Sequence, residues 1–231
     1  MGTESALWAL LVKGGPIVAV LGAFSVAVIA IVLVKLYQFV ALDVRSRRFV
    51  GPALDAFARG NVREALAELA RSRNPIARVM ETAIRGLHHA RHKGAMVREE
   101  VSRVGAVQLS QLESYLRGLE TIGNLSPLLG LLGTVVGMIR AFQRLEEAGT
   151  RVDPAVLSGG IWEALLTTAV GLVVAIPALA ALSWFEGEVE RVRRDMGDAT
   201  TRLFTQGQDG VLSGDETEAS EALATEPQHA L

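Results

Sequence analysis

The sequence predicts an all-α membrane protein: three transmembrane helices, with long helices extending into the cytoplasm. The first observation behind this is that three stretches reach span length without charge. Pro16 to Val34, Leu125 to Ile139 and Ala164 to Trp184 contain no Asp, Glu, Lys or Arg. Each is about long enough for a hydrocarbon core, the second reaching Phe142 when Arg140 snorkels. The second observation is that the charges are segregated. Residues 43–120 hold 14 Lys+Arg against 9 Asp+Glu, whereas the tail from Gln206 holds 6 acidic residues and no basic one. The third is a stripe of small residues in each of the later two apolar stretches. Ser126, Gly130, Gly133, Thr134, Gly137 and Ala141 recur every three or four residues, as do Gly160, Ala164, Thr167, Thr168, Gly171, Ala175 and Ala178. Such spacing stacks them on one helix face, where small residues let backbones approach closely.

Basic residues concentrate in cytoplasmic loops, so residues 43–120 belong inside, with Arg45, Arg47 and Arg48 directly after the first span. Arg191, Arg193 and Arg194 repeat the signal after the third. The resulting order is an outside amino-terminal segment (1–13), span one (14–36), a cytoplasmic helical domain (37–120), span two (121–142), a short outside loop (143–160), span three (161–185), a cytoplasmic helix extension (186–205) and a disordered acidic tail (206–231). The first twelve residues carry no Lys or Arg, and the apolar stretch is long for a signal peptide, so span one reads as retained. Trp8 and Tyr37 are its interfacial anchors. The absence of cysteine excludes disulfides and thiolate metal sites. No cofactor and no nucleic-acid partner are expected.

Inside the cytoplasmic domain, Ala41 to Phe57 reads as helix ending at the C-cap signal Arg59-Gly60-Asn61. Val62 to Ser72 is a short amphipathic helix with Leu66 and Leu69 on its apolar side. Asn74-Pro75 is an N-cap followed by proline at the first helical position, opening a helix with the stripe Ile76, Val79, Met80, Ala83 and Ile84. A polar turn follows near His88 to Gly94. From Ala95 a long pattern (Val97, Val101, Val104, Leu112, Leu116, Leu119) runs toward span two, with Asn124 to Pro127 as its one possible break. Continuous to Phe142, it measures roughly 70 Å. Pro127 and Pro177 read as kinks, tolerated in spans where neighbours satisfy the freed carbonyl.

Thr134 lies six residues before Arg140, and Thr168 five residues after Glu163. Both hydroxyls therefore sit about 8–9 Å inside the outer boundary. Each could simply bond a backbone carbonyl one turn back; the matched depth and the small-residue stripes point instead to a polar path. Glu163 opens span three, where a carboxylate suits a helix amino terminus or serves as an ion antenna at a pore mouth. Thr167 lies one turn from Glu163 on the same face. The spans are read as holding no other Asp, Glu, His or Lys between their ends, so a proton-binding group at mid-depth would belong to another protein. His88, His89 and His92 have metal-like spacing without an acidic companion, and read as a solvated turn. Catalysis needs a nucleophile with its base, or paired carboxylates, at one depth; Ser126 and Ser183 have no such partner, and the chain is not expected to be an enzyme.

The motifs LLGLLGTVVGMIRAF and GGIWEALLTTAVGLVVAIPAL resemble those of the ExbB and TolQ family, related to the flagellar stator protein MotA. The likeness covers roughly residues 10–205 and is strongest over 121–185. It implies a homopentameric ring in the bacterial inner membrane, with periplasmic amino terminus and cytoplasmic carboxyl terminus. The ring would surround ExbD- or TolR-like single-span subunits whose aspartate binds the proton, and act on a TonB- or TolA-like protein. Thr134, Glu163 and Thr168 match the family's pore-lining polar residues, with Thr167 beside them. Gly130, Gly133, Gly137, Gly160, Gly171, Pro127 and Pro177 would serve helix packing. Arg140, Arg144 and Trp162 depart from the family pattern near the outer mouth. Work on the envelope through TonB-dependent import or Tol-Pal is the implied function; a motility stator, or less so a non-conducting scaffold, is the alternative. Three spans favour the ExbB and TolQ branch over the four typical of MotA.

Overall fold

The computed structural model describes residues 15–89, 94–148 and 154–224. The secondary structure there is helical throughout: α1 (Gly15–Ala41), α2 (Val50–Ala58), α3 (Val62–Ala70), α4 (Pro75–His89), α5 (Gly94–Glu113), α6 (Leu116–Ala148) and α7 (Pro154–Ala224). Three of them, α1, α6 and α7, are long and apolar enough to cross a membrane. The outside segment with Trp8, and His92 of the histidine group, lie outside the described residues.

The chain forms two compact units, one of residues up to Leu36 with Ser114–Gly187, the other of Tyr37–Glu113 with the chain from Glu188. In the second unit, the predicted stripe of α4 is the core: Ile76, Met80, Ala83 and Ile84 are fully buried, joined by Leu69, Leu112, Val192 and Leu203. Each large apolar side chain buried this way contributes about 1.5–3 kcal/mol. Where α4 and α5 approach, a Cβ on Gly86 would come within 2.5 Å of Val97. Gly60, at φ +76°, closes α2 as predicted: its N–H donates to Phe57 and that of Asn61 to Ala56. Asn74 caps α4, its side-chain oxygen accepting from the Ile76 N–H at 2.9 Å. On α5, the hydrogen bond from Arg103 holds the exposed Glu100 carboxyl below its ordinary range.

Three differences from the sequence reading stand out. Residues 42–49 are a turn rather than the first part of a helix from Ala41. Asp43 takes φ +45° and its carbonyl accepts from Ser46, while the Asn74 amide donates to the carbonyls of Asp43 (2.8 Å) and Ser46 (3.1 Å). The long helix breaks at Ser114-Tyr115, not at Asn124–Pro127. Tyr115 turns left-handed (φ +65°) and its carbonyl starts α6 by accepting from Gly118 and Leu119. Finally, α7 continues to Ala224, past Gln206 where disorder is expected; Leu, Ala and Glu, frequent from Leu212 onward, are strong helix formers. Helix also occupies most of the expected loop 143–160, since α6 reaches Ala148 and α7 starts at Pro154.

Candidate functional site

In the first unit, the two small-residue stripes face each other. A Cβ on Gly137 would stand 2.9 Å from the Ala164 Cβ, one on Gly160 2.6 Å from that of Ala141, and one on Gly171 2.6 Å from the Ser126 carbonyl oxygen. Gly133 lies against the Thr167 side chain, and Gly130 against the backbone of Thr167 and Thr168. Gly133, Gly137 and Gly130 thus form the surface of α6 on which α7 rests. The pair is antiparallel, and side chains larger than hydrogen at these points would push the backbones apart.

Two threonines of α7, Thr167 and Thr168, meet the glycines of α6 in this seam. Thr168 Oγ1 donates across it to the Gly130 carbonyl at 2.9 Å. Thr167, 3 % exposed, donates to the Ala164 carbonyl of its own helix at 2.7 Å. Thr134 donates to Leu131 at 2.7 Å. One turn before Thr134, the Gly130 carbonyl is also the ordinary acceptor of that residue's backbone N–H. Gly133 opposite Thr167 and Gly137 opposite Ala164 fix the register, which puts Thr134 and Thr168 within about one turn of each other along the pair.

The other sequence-derived residues sort around the seam. Glu163 is half-buried, one residue before Ala164, while Trp162 is 69 % exposed. Pro127 is half-buried and α6 runs through it. Its ring leaves the Gly123 carbonyl without the usual ladder bond, and Ser126 Oγ donates to Ile122 at 2.7 Å. Pro177 sits inside α7 on its exposed side, away from the small-residue face. The guanidinium of Arg140 lies near Gly15, at 3.9 Å from where its Cβ would be.

Two buried charges escaped the sequence reading. Lys35, the only charged residue of α1, is fully buried; its position between Val34 and Leu36 was the available signal. In the second unit, Glu188 is buried and faces Arg191 at 3.0 Å and Arg45 at 3.5 Å. Both arginines, legible only as orientation signals, also neutralise this carboxylate, Arg191 from the next turn of the same helix and Arg45 from far away in sequence.

A tight antiparallel pair of apolar helices with hydroxyls in its seam, beside a third apolar helix, is the build of a multi-pass membrane protein. Residues 71–198, over half of the chain, match the MotA/TolQ/ExbB proton channel family. The chain is 28 % identical over 239 residues to an ExbB homolog of Methanothermobacter thermautotrophicus, spanning 93 % of this chain and 84 % of that one. It is 32 % identical to an ExbB-like protein of Synechocystis (72 % and 78 % covered). To the Tol-Pal system protein TolQ of Haemophilus influenzae it is 36 % identical over 98 residues, 42 % of each chain. This chain belongs to the MotA/TolQ/ExbB proton channel family, in agreement with the resemblance carried by its two motifs.

Proposed function

We propose that this chain is the multi-span channel subunit of a proton-driven machine in the bacterial inner membrane. It assembles as a homopentamer around an ExbD- or TolR-like partner and converts proton motive force into work on the cell envelope, in TonB-dependent import or Tol-Pal function. The amino terminus is periplasmic, the carboxyl terminus cytoplasmic, and the chain is not an enzyme. The observation that carries the reading is the α6–α7 seam, where Thr167 is buried and Thr168 bonds across to Gly130, with Thr134 within about one turn on α6. The uncharged stretches offer no carboxylate or histidine there, and an unassisted charge in hydrocarbon is costly. A proton crossing at this level therefore needs a titratable group from a second protein, with the hydroxyls lining its path and Glu163 at the outer mouth.

Thr134→Val and Thr168→Val test the reading, since valine keeps the shape and removes the hydroxyl. Crosslinking should still trap the oligomer while energised import or envelope integrity is lost. Full function in both variants would reduce the hydroxyls to packing groups.

A further inference from the structure

Where α1 ends, the turn 42–49 and the end of α3 enclose an open cavity of about 420 Å³. Ala41, the last residue of α1, is on its wall. The preceding turn presents Tyr37 and Val40, 76 % and 72 % exposed. Three arginines line the cavity, Arg48, Arg71 and Arg73, with Ser46, Ser72, Asp43 and Glu68.

The arginines of this region fall into two groups. Arg45 faces Glu188, Arg47 pairs with Asp195 at 2.6 Å, and Arg71 with Glu68 at 2.7 Å. Arg48 and Arg73 have no carboxylate partner among the described residues, and both line the cavity. Of the two acidic residues on the wall, Asp43 and Glu68, Glu68 is already engaged by Arg71. Ser72 Oγ accepts the Asn74 N–H at 3.2 Å, which leaves its O–H to donate outward. Asn74, fully buried, ties Asp43 and Ser46 to the start of α4, so the wall is held in place rather than formed on demand.

We infer that this cavity binds a phosphate-bearing anion, held by the guanidiniums of Arg48 and Arg73 and the serine hydroxyls. Planar guanidinium forks match phosphate oxygens in pairs. A basic site directly after an apolar span lies where anionic lipid headgroups are found. A phosphatidylglycerol headgroup and free phosphate share this chemistry.

Native mass spectrometry of the full-length protein in detergent, with phosphatidylglycerol or the zwitterionic phosphatidylcholine added, reads the site directly. The unaltered chain should retain phosphatidylglycerol preferentially. Arg48→Gln/Arg73→Gln should weaken retention about tenfold or more, as for the loss of a charge-assisted hydrogen bond. Glu68→Gln frees Arg71 and should strengthen retention, so the inference stays testable even if the double variant fails to fold. Retention unaffected by millimolar inorganic phosphate identifies a lipid headgroup; arginine-dependent displacement by phosphate identifies a soluble source. Equal retention of the two lipids without any effect of phosphate, or a Glu68→Gln variant that binds no better, would overturn the inference.

Discussion

The Asn74 side chain serves two segments with one amide. Its oxygen caps α4 through the Ile76 N–H, and its nitrogen donates to the carbonyls of Asp43 and Ser46, all within the buried part of the second unit. The cap is legible in the sequence because Asn-Pro is a local signal. The other bonds are not, because their acceptors lie 28–31 residues earlier. Asn74→Ala removes the cap and one donor from each of two carbonyls, which still accept from the Ser46 N–H and the Arg47 guanidinium, and should cost about 1–2 kcal/mol. Asn74→Asp keeps the cap but sets an acceptor-only carboxylate oxygen against the same carbonyls, and should destabilise at least as much. Thermal or denaturant unfolding in detergent measures both, and a loss below about 0.5 kcal/mol for the alanine variant would mean that the turn 42–49 holds itself.

At the scale of elements, the α6–α7 seam follows from glycine spacing. Gly133 faces the Thr167 side chain and Gly171 a backbone carbonyl, whereas nothing lies within 4 Å of a Cβ placed on Gly159. Gly133→Ala and Gly171→Ala should therefore each destabilise the pair by about 1–3 kcal/mol. Gly159→Ala should leave stability unchanged or raise it slightly, alanine being the better helix former. The same three variants compared by thermal melting give the answer; equal melting temperatures would show that α7 can shift without loss. The stripes were legible because a period of three or four needs no tertiary information. The break at Ser114-Tyr115 was not, since neither residue carries a turn signal and the left-handed tyrosine is set by its surroundings. Conversely, Asn124–Pro127 reads as a breaker but is absorbed into α6, whose ladder gives up there only the bond to the Gly123 carbonyl. Glu188 with Arg45 and Arg191 was hidden for the same reason as the turn bonds of Asn74: one of its partners lies on a distant element.

For the whole molecule, the question is which protein carries the proton. The uncharged stretches of α1, α6 and α7 supply hydroxyls but no carboxylate or histidine. Lys35 is buried near the end of α1 and Glu163 sits half-buried at the start of the uncharged run of α7, so the titratable groups flank the apolar stretches instead of filling them. Threonines that donate to backbone carbonyls can solvate a passing proton but cannot store it. The chain reconstituted alone in liposomes should thus pass protons slowly, read as the decay of an imposed gradient by a pH-sensitive dye. Addition of a single-span partner bearing a membrane aspartate should raise the flux, and Thr168→Val should lower that partner-dependent flux while leaving the slow background as it was. Rapid flux from the chain without a partner would place the carrier within it, and Glu163→Gln would then be the variant that decides whether this carboxylate is that carrier.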